Sequence, residues 1–159
     1  MGRVYQMFFG AYDYGVQLDL FQFTAAAGIP VAVHGFGMFP YTEIGDGNDQ
    51  IISLSLLRGS SGTTSGSGGF VPGPGLPPYQ PSDSAASFAF LSRNTTLMTG
   101  GTITTLRAWV WDFRVPFYKY FTPETRPIIA GSERMVLRMG SAPASVLQQV
   151  GYVIAEELA

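Results

Sequence analysis

The chain has 159 residues, a formal net charge of −2 and no cysteine, and only 13% of its residues are charged. Soluble domains carry about 25% charged residues, so a large part of this surface is neutral or apolar, which indicates an interface. No basic tract could neutralise a phosphate backbone, so we expect no nucleic-acid partner. Disulfides and thiolate metal sites are excluded. A well-packed monomer with a Ser/Thr/Gln surface remains the alternative.

The N-terminal sequence MGRVYQMFFGAYDYG lacks the order of charged, apolar and small residues that a signal peptide needs. No apolar run approaches the length of a membrane span. We therefore expect a protein that is made and folded in a cytoplasm and has no membrane partner.

Alternating apolar and polar residues predict about eight strands. In chain order the predicted strands are 4–9, 16–23, 31–38, 52–56, 87–92, 102–113, 135–139 and 150–156. In the second of them the apolar residues change face between Leu20 and Phe21, which predicts a bulge or a corner. Only 144–150 is a candidate for one or two helical turns. The pattern predicts an all-β fold in one domain, 1–159, built as a two-sheet antiparallel sandwich resembling a jelly roll.

One long loop, 59–85, interrupts this domain, and 20 of its 27 residues are Gly, Pro, Ser or Thr. Such a segment has little apolar surface to bury, so it needs a restraint from outside itself to hold one conformation. We expect neighbouring subunits to supply that restraint. The large side chains available as anchors are Phe70, Val71, Leu76 and Tyr79.

The densest aromatic stretch is 109–121. Strand spacing places Trp109, Trp111 and Phe113 on one side and apolar residues on the other, so we expect both sides to be covered by core or subunit contacts. The alternative is a carbohydrate-binding module that stacks sugar rings on the Trp109/Trp111 face.

The residue types give no coherent catalytic site, so we expect no enzyme activity and no cofactor. The single histidine, His34, lies in the apolar segment VAVHGFG and is interpreted as structural. Ser67 lies between glycines but not in a G-x-S-x-G elbow. Glu43, Asp46, Asn48 and Asp49 offer oxygen atoms for calcium, although tight turns explain the same residues. Whether they hold an ion stays open, and the sequon at Asn94 is expected to be idle without secretion.

Four segments together resemble a known group of proteins. They are LLRGSSGTTSGSGGFVPGPG, PSDSAASFAFLSRNTT, FTPETRP and VLRMGSAPASVLQQVGYVIAEEL. In this order they are similar to small proteins of about this length encoded by tailed phages and prophages. The resemblance covers most of the chain from Leu56 onward and is weaker in the aromatic N-terminal segment.

This resemblance implies a virion structural protein on the capsid surface, most simply a capsid decoration (cement) protein that forms a homotrimer and binds the major capsid protein. A tail or neck component is the alternative within the same class. The expected partner contacts are the four loop residues Phe70, Val71, Leu76 and Tyr79 together with Tyr5, Phe8 and Phe9 near the N-terminus.

Overall fold

The computed structural model describes residues 2–41, 51–71, 78–144 and 146–158. These residues form ten β-strands and no helix. The strands are β1 (Arg3–Tyr14), β2 (Asp19–Thr24), β3 (Val31–Pro40), β4 (Ile51–Gly59), β5 (Ala89–Asn94), β6 (Ile103–Asp112), β7 (Phe117–Tyr120), β8 (Ile128–Ile129), β9 (Arg134–Met139) and β10 (Leu147–Glu157).

The strands form two antiparallel sheets of five strands each. Sheet A has the order β1-β10-β3-β7, and β8 also pairs with β3. Sheet B has the order β5-β2-β9-β4-β6. Strands distant in sequence are therefore neighbours, and the chain passes repeatedly from one sheet to the other, as in a jelly roll. The predicted all-β sandwich is confirmed.

One apolar core fills the space between the sheets. β10 shows how it forms, because its residues are alternately buried and half-exposed along all 11 positions. Phe21 of sheet B lies at the centre, with ring centroids 5.8 Å from Phe9 and 5.6 Å from Phe36 of sheet A. These tilted and edge-on contacts link the two sheets at the geometry that aromatic pairs prefer.

The bulge predicted in the second strand is confirmed. The pairing of β2 with β9 shifts between Asp19 and Phe21. Because of that shift Leu18, Leu20, Phe21 and Phe23 all reach the same core. A regular strand would have sent half of them to the opposite face.

Each of the eight predicted strands overlaps a strand of the structure, and the described residues contain two more, β7 and β8, whose 4 and 2 residues are too few to show alternation. The candidate helical turns within 144–150 do not form in the described part of that segment, because β10 begins at Leu147 and pairs with both β1 and β3.

The described part of the long loop lies against its own chain. Its backbone N–H groups bond to carbonyl oxygens in and after β5, at 2.7 to 3.0 Å. The bonded pairs are Thr64 with Thr99, Ser67 with Thr96, and Phe70 with Ser92. Our expectation that other subunits order this loop is therefore wrong for 60–71, whose restraint comes from the same domain.

Side chains from the outer side of sheet B hold the loop as well. Gln22 Oε1 accepts a hydrogen bond from the N–H of Gly66 at 3.0 Å, and Arg134 Nε donates to Ser65 Oγ at 2.8 Å. A small apolar cluster of Leu57, Met98 and Val136 is buried on this side of the sheet. The polar partners satisfy loop backbone that has few apolar groups of its own.

Glycine is required where this loop approaches β5. A Cβ atom added to Gly69 would overlap the carbonyl oxygen of Ser92 and lie 2.6 Å from Asn94 Oδ1. The Gly-rich composition that indicates flexibility thus also permits close backbone packing.

Candidate functional site

The outer side of sheet A carries an aromatic surface where a sandwich normally presents polar residues. Cross-strand pairing sets Phe8 opposite Tyr152, Tyr152 opposite Gly37, and Gly37 opposite Tyr118. Partners directly across antiparallel strands point to the same side. Together with two further aromatics at spacing 2 from this row, they form a surface that we call the aromatic face: Phe8, Phe39, Tyr118, Tyr120 and Tyr152.

Three members of the aromatic face are largely open to solvent. Phe8 is 71% exposed, Tyr118 49% and Tyr120 64%. The neighbours of Phe8 along β1 point into the core, so the exposure belongs to one side of the strand only. Exposed apolar patches of this kind are a common feature of the surfaces through which proteins bind other molecules.

Contacts among the rings fix the arrangement of the aromatic face. Phe39 packs edge-on against Tyr118 at 5.3 Å and stacks on Tyr152 at 6.0 Å between centroids. Gly37 makes room for this, because a Cβ atom there would lie 2.7 Å from Cε1 of Tyr152. The Tyr152 ring therefore lies over bare backbone, as aromatic residues do beside glycine in sheets.

Tyr152, at the centre of the aromatic face, is uncharged at neutral pH. Burial and a hydrogen bond between its hydroxyl and that of Tyr120 raise the pKa of Tyr152 to about 12. The surface combines apolar rings with hydroxyl groups that can donate and accept hydrogen bonds. Tyrosine-rich surfaces of this type are common in protein interfaces.

The structure separates the predicted partner contacts into two groups. Phe8, Phe70, Val71 and Tyr79 are exposed and available to a partner. Tyr5, 0% exposed, lies in the core, so its assignment as a contact is wrong, and Phe9, 4% exposed, belongs to the core as well. Strand alternation explains the difference, since both point inward from β1 while Phe8 points outward. Leu76 lies outside the described residues.

Tyr5 instead belongs to a buried polar cluster around the carboxylate of Glu157. The Tyr5 hydroxyl donates to Glu157 at 3.1 Å, and Arg3 forms an ion pair with it at 2.6 Å. The N–H and hydroxyl of Ser87 both donate to Glu157 at 2.5 Å. Burial and Glu157 raise the pKa of Tyr5 to about 12, which keeps its hydroxyl protonated as a donor. The cluster ties the end of the long loop to sheet A.

Acid should weaken the fold through this cluster. Burial raises the pKa of Glu157, but the hydrogen bonds from Ser87 and Tyr5 and the Arg3 charge outweigh it and hold the pKa below its ordinary 4.5. The stabilisation is present above about pH 4.5 and is lost as pH falls through the lower folded-state value. Urea unfolding from about pH 3 to pH 7 should show this loss, and Glu157→Gln should remove it. Asp112→Asn, at an exposed position of β6, should keep the wild-type slope.

His34 lies beside an ion pair formed by Glu156 and Arg126. Its Nε2 lies 2.8 Å from Glu156 Oε2, which also accepts from Arg126 at 2.7 Å. A structural interpretation of His34 accounts for these contacts. No group of three or more His, Cys, Asp or Glu suited to a metal ion is present among the described residues. The acidic cluster Glu43, Asp46, Asn48 and Asp49 lies outside them.

The structure argues against two kinds of surface site considered from the sequence, a sugar-binding face at Trp109 and Trp111 and a glycosylation site at Asn94. Trp111 is 3% exposed, and its indole Nε1 donates to the Val115 carbonyl at 2.7 Å. Trp109 packs on Phe36 with centroids 5.7 Å apart. These indoles therefore offer no open pair of rings for a sugar. Asn94 is 1% exposed, which closes its side chain to glycosylation.

The chain itself covers only one of the two sides of β6, so cover of the other side by a subunit contact stays a prediction. Among the strands that the structure describes, β6 is the last of sheet B and pairs with β4 alone. Its inward side chains reach the core, while Val110 on the outer side is 71% exposed.

Comparisons of the chain with family models, curated proteins and solved structures return no match. Among the described residues there is no helix long and apolar enough to cross a membrane.

Proposed function

We propose that this chain is a non-enzymatic structural protein of a tailed-phage virion, a decoration protein that binds the capsid surface as a homotrimer. The aromatic face carries this proposal. It is a partly exposed aromatic surface that spans the strands β1, β10, β3 and β7, which suits permanent contact with another protein. We assign it to the contact with the major capsid protein.

The sequence resemblance and the fold support the same class of protein. The segments from Leu56 onward are similar to proteins of tailed phages, and the jelly roll is a recurrent building unit of viral capsids. The fold supports the proposal by analogy only, because one fold hosts many functions.

The expected mechanism is burial of surface repeated over the shell. Each apolar Å² removed from water contributes about 25 cal/mol, so the aromatic face of one subunit gives a modest contact. A trimer makes its second and third contacts intramolecular, which raises the total strength by orders of magnitude without any new contact. A protein of this kind holds neighbouring capsid subunits together against internal pressure.

A binding experiment on phage heads tests the proposal. Heads lacking the chain are mixed with purified protein, and the bound fraction is measured after sedimentation. The double variant Tyr118→Ser/Tyr120→Ser removes two exposed rings that make few core contacts, so it should fold. We expect its affinity for heads to fall by about 30-fold, because central aromatic residues contribute about 2 kcal/mol or more to interfaces.

The matched control is Ile51→Ser. Ile51 is 70% exposed on the opposite sheet, so its variant should bind heads like the wild type. Failure of the wild-type protein to bind heads, with binding to tails instead, would move the chain to the tail or neck. Equal loss with both variants would show that the aromatic face is not the contact surface.

A further inference from the structure

A cleft of about 380 Å³ opens between the edge strands β1 of sheet A and β5 of sheet B. Phe8, Phe9 and Val150 line it from sheet A, and the ring of Phe70 lines it from the long loop. The cleft begins beside Phe8, so it is continuous with the aromatic face. Its volume lies within the range of sites that bind small organic groups.

The polar groups of the cleft come from two consecutive residues of β5, Ser92 and Arg93. The guanidinium carbon of Arg93 lies 5.5 Å from the centroid of the Phe70 ring, a cation–π distance. Arg93 and Phe70 also line a second cavity of about 190 Å³. Among the residues that line the first cleft, Arg93 is the only one that carries a charge.

Two observations distinguish this cleft from a mere surface groove. The hydroxyl oxygen of Ser92 is buried and has no hydrogen-bond partner among the described residues, although its residue lines the cleft. Buried polar atoms normally have a hydrogen-bond partner, and a ligand or water molecule would supply one to this hydroxyl. Arg93 has a φ of 62°, a conformation that residues other than glycine rarely adopt. Such conformations are often found at binding sites.

We propose that the cleft binds a segment of a partner protein that inserts one large apolar side chain and places a carboxylate next to Arg93. The apolar walls would hold the side chain, and the guanidinium would form a charge-assisted hydrogen bond to the carboxylate. Charge complementarity selects an acidic segment over a neutral or basic one. The identity of the partner as a virion protein rests on the proposed function, whereas the chemistry of the cleft does not.

The experiment uses N-acetylphenylalanine, which carries a benzyl group and a carboxylate, and its neutral amide, N-acetylphenylalanine amide. Both are titrated into the ¹⁵N-labelled protein while backbone amide shifts are followed. We expect the acid to bind with a Kd of about 1 mM, at least about fivefold tighter than the amide. The shifts should concentrate at Gly10, Phe70, Ser92 and Gly151, which line the cleft.

Variants assign the preference to Arg93. Arg93→Asn should abolish the difference between acid and amide, and Asn tolerates the positive φ of this position. Phe8→Ala should weaken both probes by about fivefold, since it removes an exposed wall of the cleft. Arg107→Asn, an exposed arginine on the distant strand β6, should keep the wild-type preference.

Equal affinity of the wild-type protein for acid and amide would overturn the proposal, and so would shifts that map to another surface. If Arg93→Asn does not fold, the proposal is still tested by Phe8→Ala and by the comparison of the two probes on the wild-type protein. If the acid binds in the cleft but the protein does not bind to phage heads, the binding site is supported and a virion protein is excluded as its partner. Binding to heads without binding of either probe would leave the proposed function intact and reject the cleft.

Discussion

Replacing Asp19 with alanine should lower the free energy of unfolding by about 3–5 kcal/mol. The Asp19 side chain is fully buried, and its two oxygens accept hydrogen bonds from Arg138 at 2.6 and 3.1 Å. The N–H of Met98 donates to the same carboxylate at 2.7 Å. Removing the carboxylate leaves a largely buried guanidinium without its counter-charge, which explains the size of the expected effect.

Urea unfolding, followed by tryptophan fluorescence, measures this effect. The control is Asp112→Ala, because Asp112 is exposed and should cost less than about 1 kcal/mol. The double variant Asp19→Leu/Arg138→Leu should be more stable than Asp19→Ala, since it leaves no unpaired charge. A loss below about 1 kcal/mol for Asp19→Ala would contradict the structural role assigned to this pair.

The sequence predicted the sandwich because each core strand alternates strongly. In β4 and β9 the inward residues are large and apolar, and Ser53, Ser55, Arg134 and Arg138 alternate with them on the outer side. The same alternation gave the bulge near Leu20. It could not show β8, whose two residues are too few for a period, and it did not show that β10 begins as early as Leu147.

The long loop could not be placed from the sequence, because its restraints are single polar groups distant along the chain. The loop is held by Arg134, Gln22 and the backbone of Thr96. In a sequence, polar residues that bind a loop look the same as polar residues that are exposed to solvent. The Gly/Ser/Pro-rich composition correctly indicates that the isolated segment is flexible. In the folded chain the described part of the loop has one conformation, because its glycines allow its backbone to pack closely against β5.

The aromatic face was missed for a related reason. Tyr118, Tyr152 and Phe8 lie on three strands far apart in sequence, and only the strand order brings them to one side. One signal was present in the sequence, since Tyr152 alternates with Val153 and Gly151 along a strand that reads as half-buried. The glycines of VAVHGFGMF leave room for a ring from a neighbouring strand. Together with the outward position of Tyr152 they could have indicated the surface.

Trp111 and Val110 are neighbours on β6 and should respond to truncation in opposite ways. Trp111 is 3% exposed, and its ring packs on Phe113 at 5.1 Å and Phe117 at 6.1 Å. Trp111→Ala should therefore lower the free energy of unfolding by about 3–5 kcal/mol, the range for a large buried aromatic. Val110→Ala should change it by no more than about 0.5 kcal/mol, as expected for an exposed side chain.

Urea unfolding of the isolated protein, followed by circular dichroism, tests both variants without relying on the indole that is removed. The comparison holds the strand and its backbone pairing constant, so the difference reports only the side of the sheet on which each residue lies. A large loss for Val110→Ala would mean that the outer side of β6 is covered in solution, and the exposed edge described here would then belong to a contact between subunits. A small loss for Trp111→Ala would place the indole outside the core and reopen this strand to ligand binding.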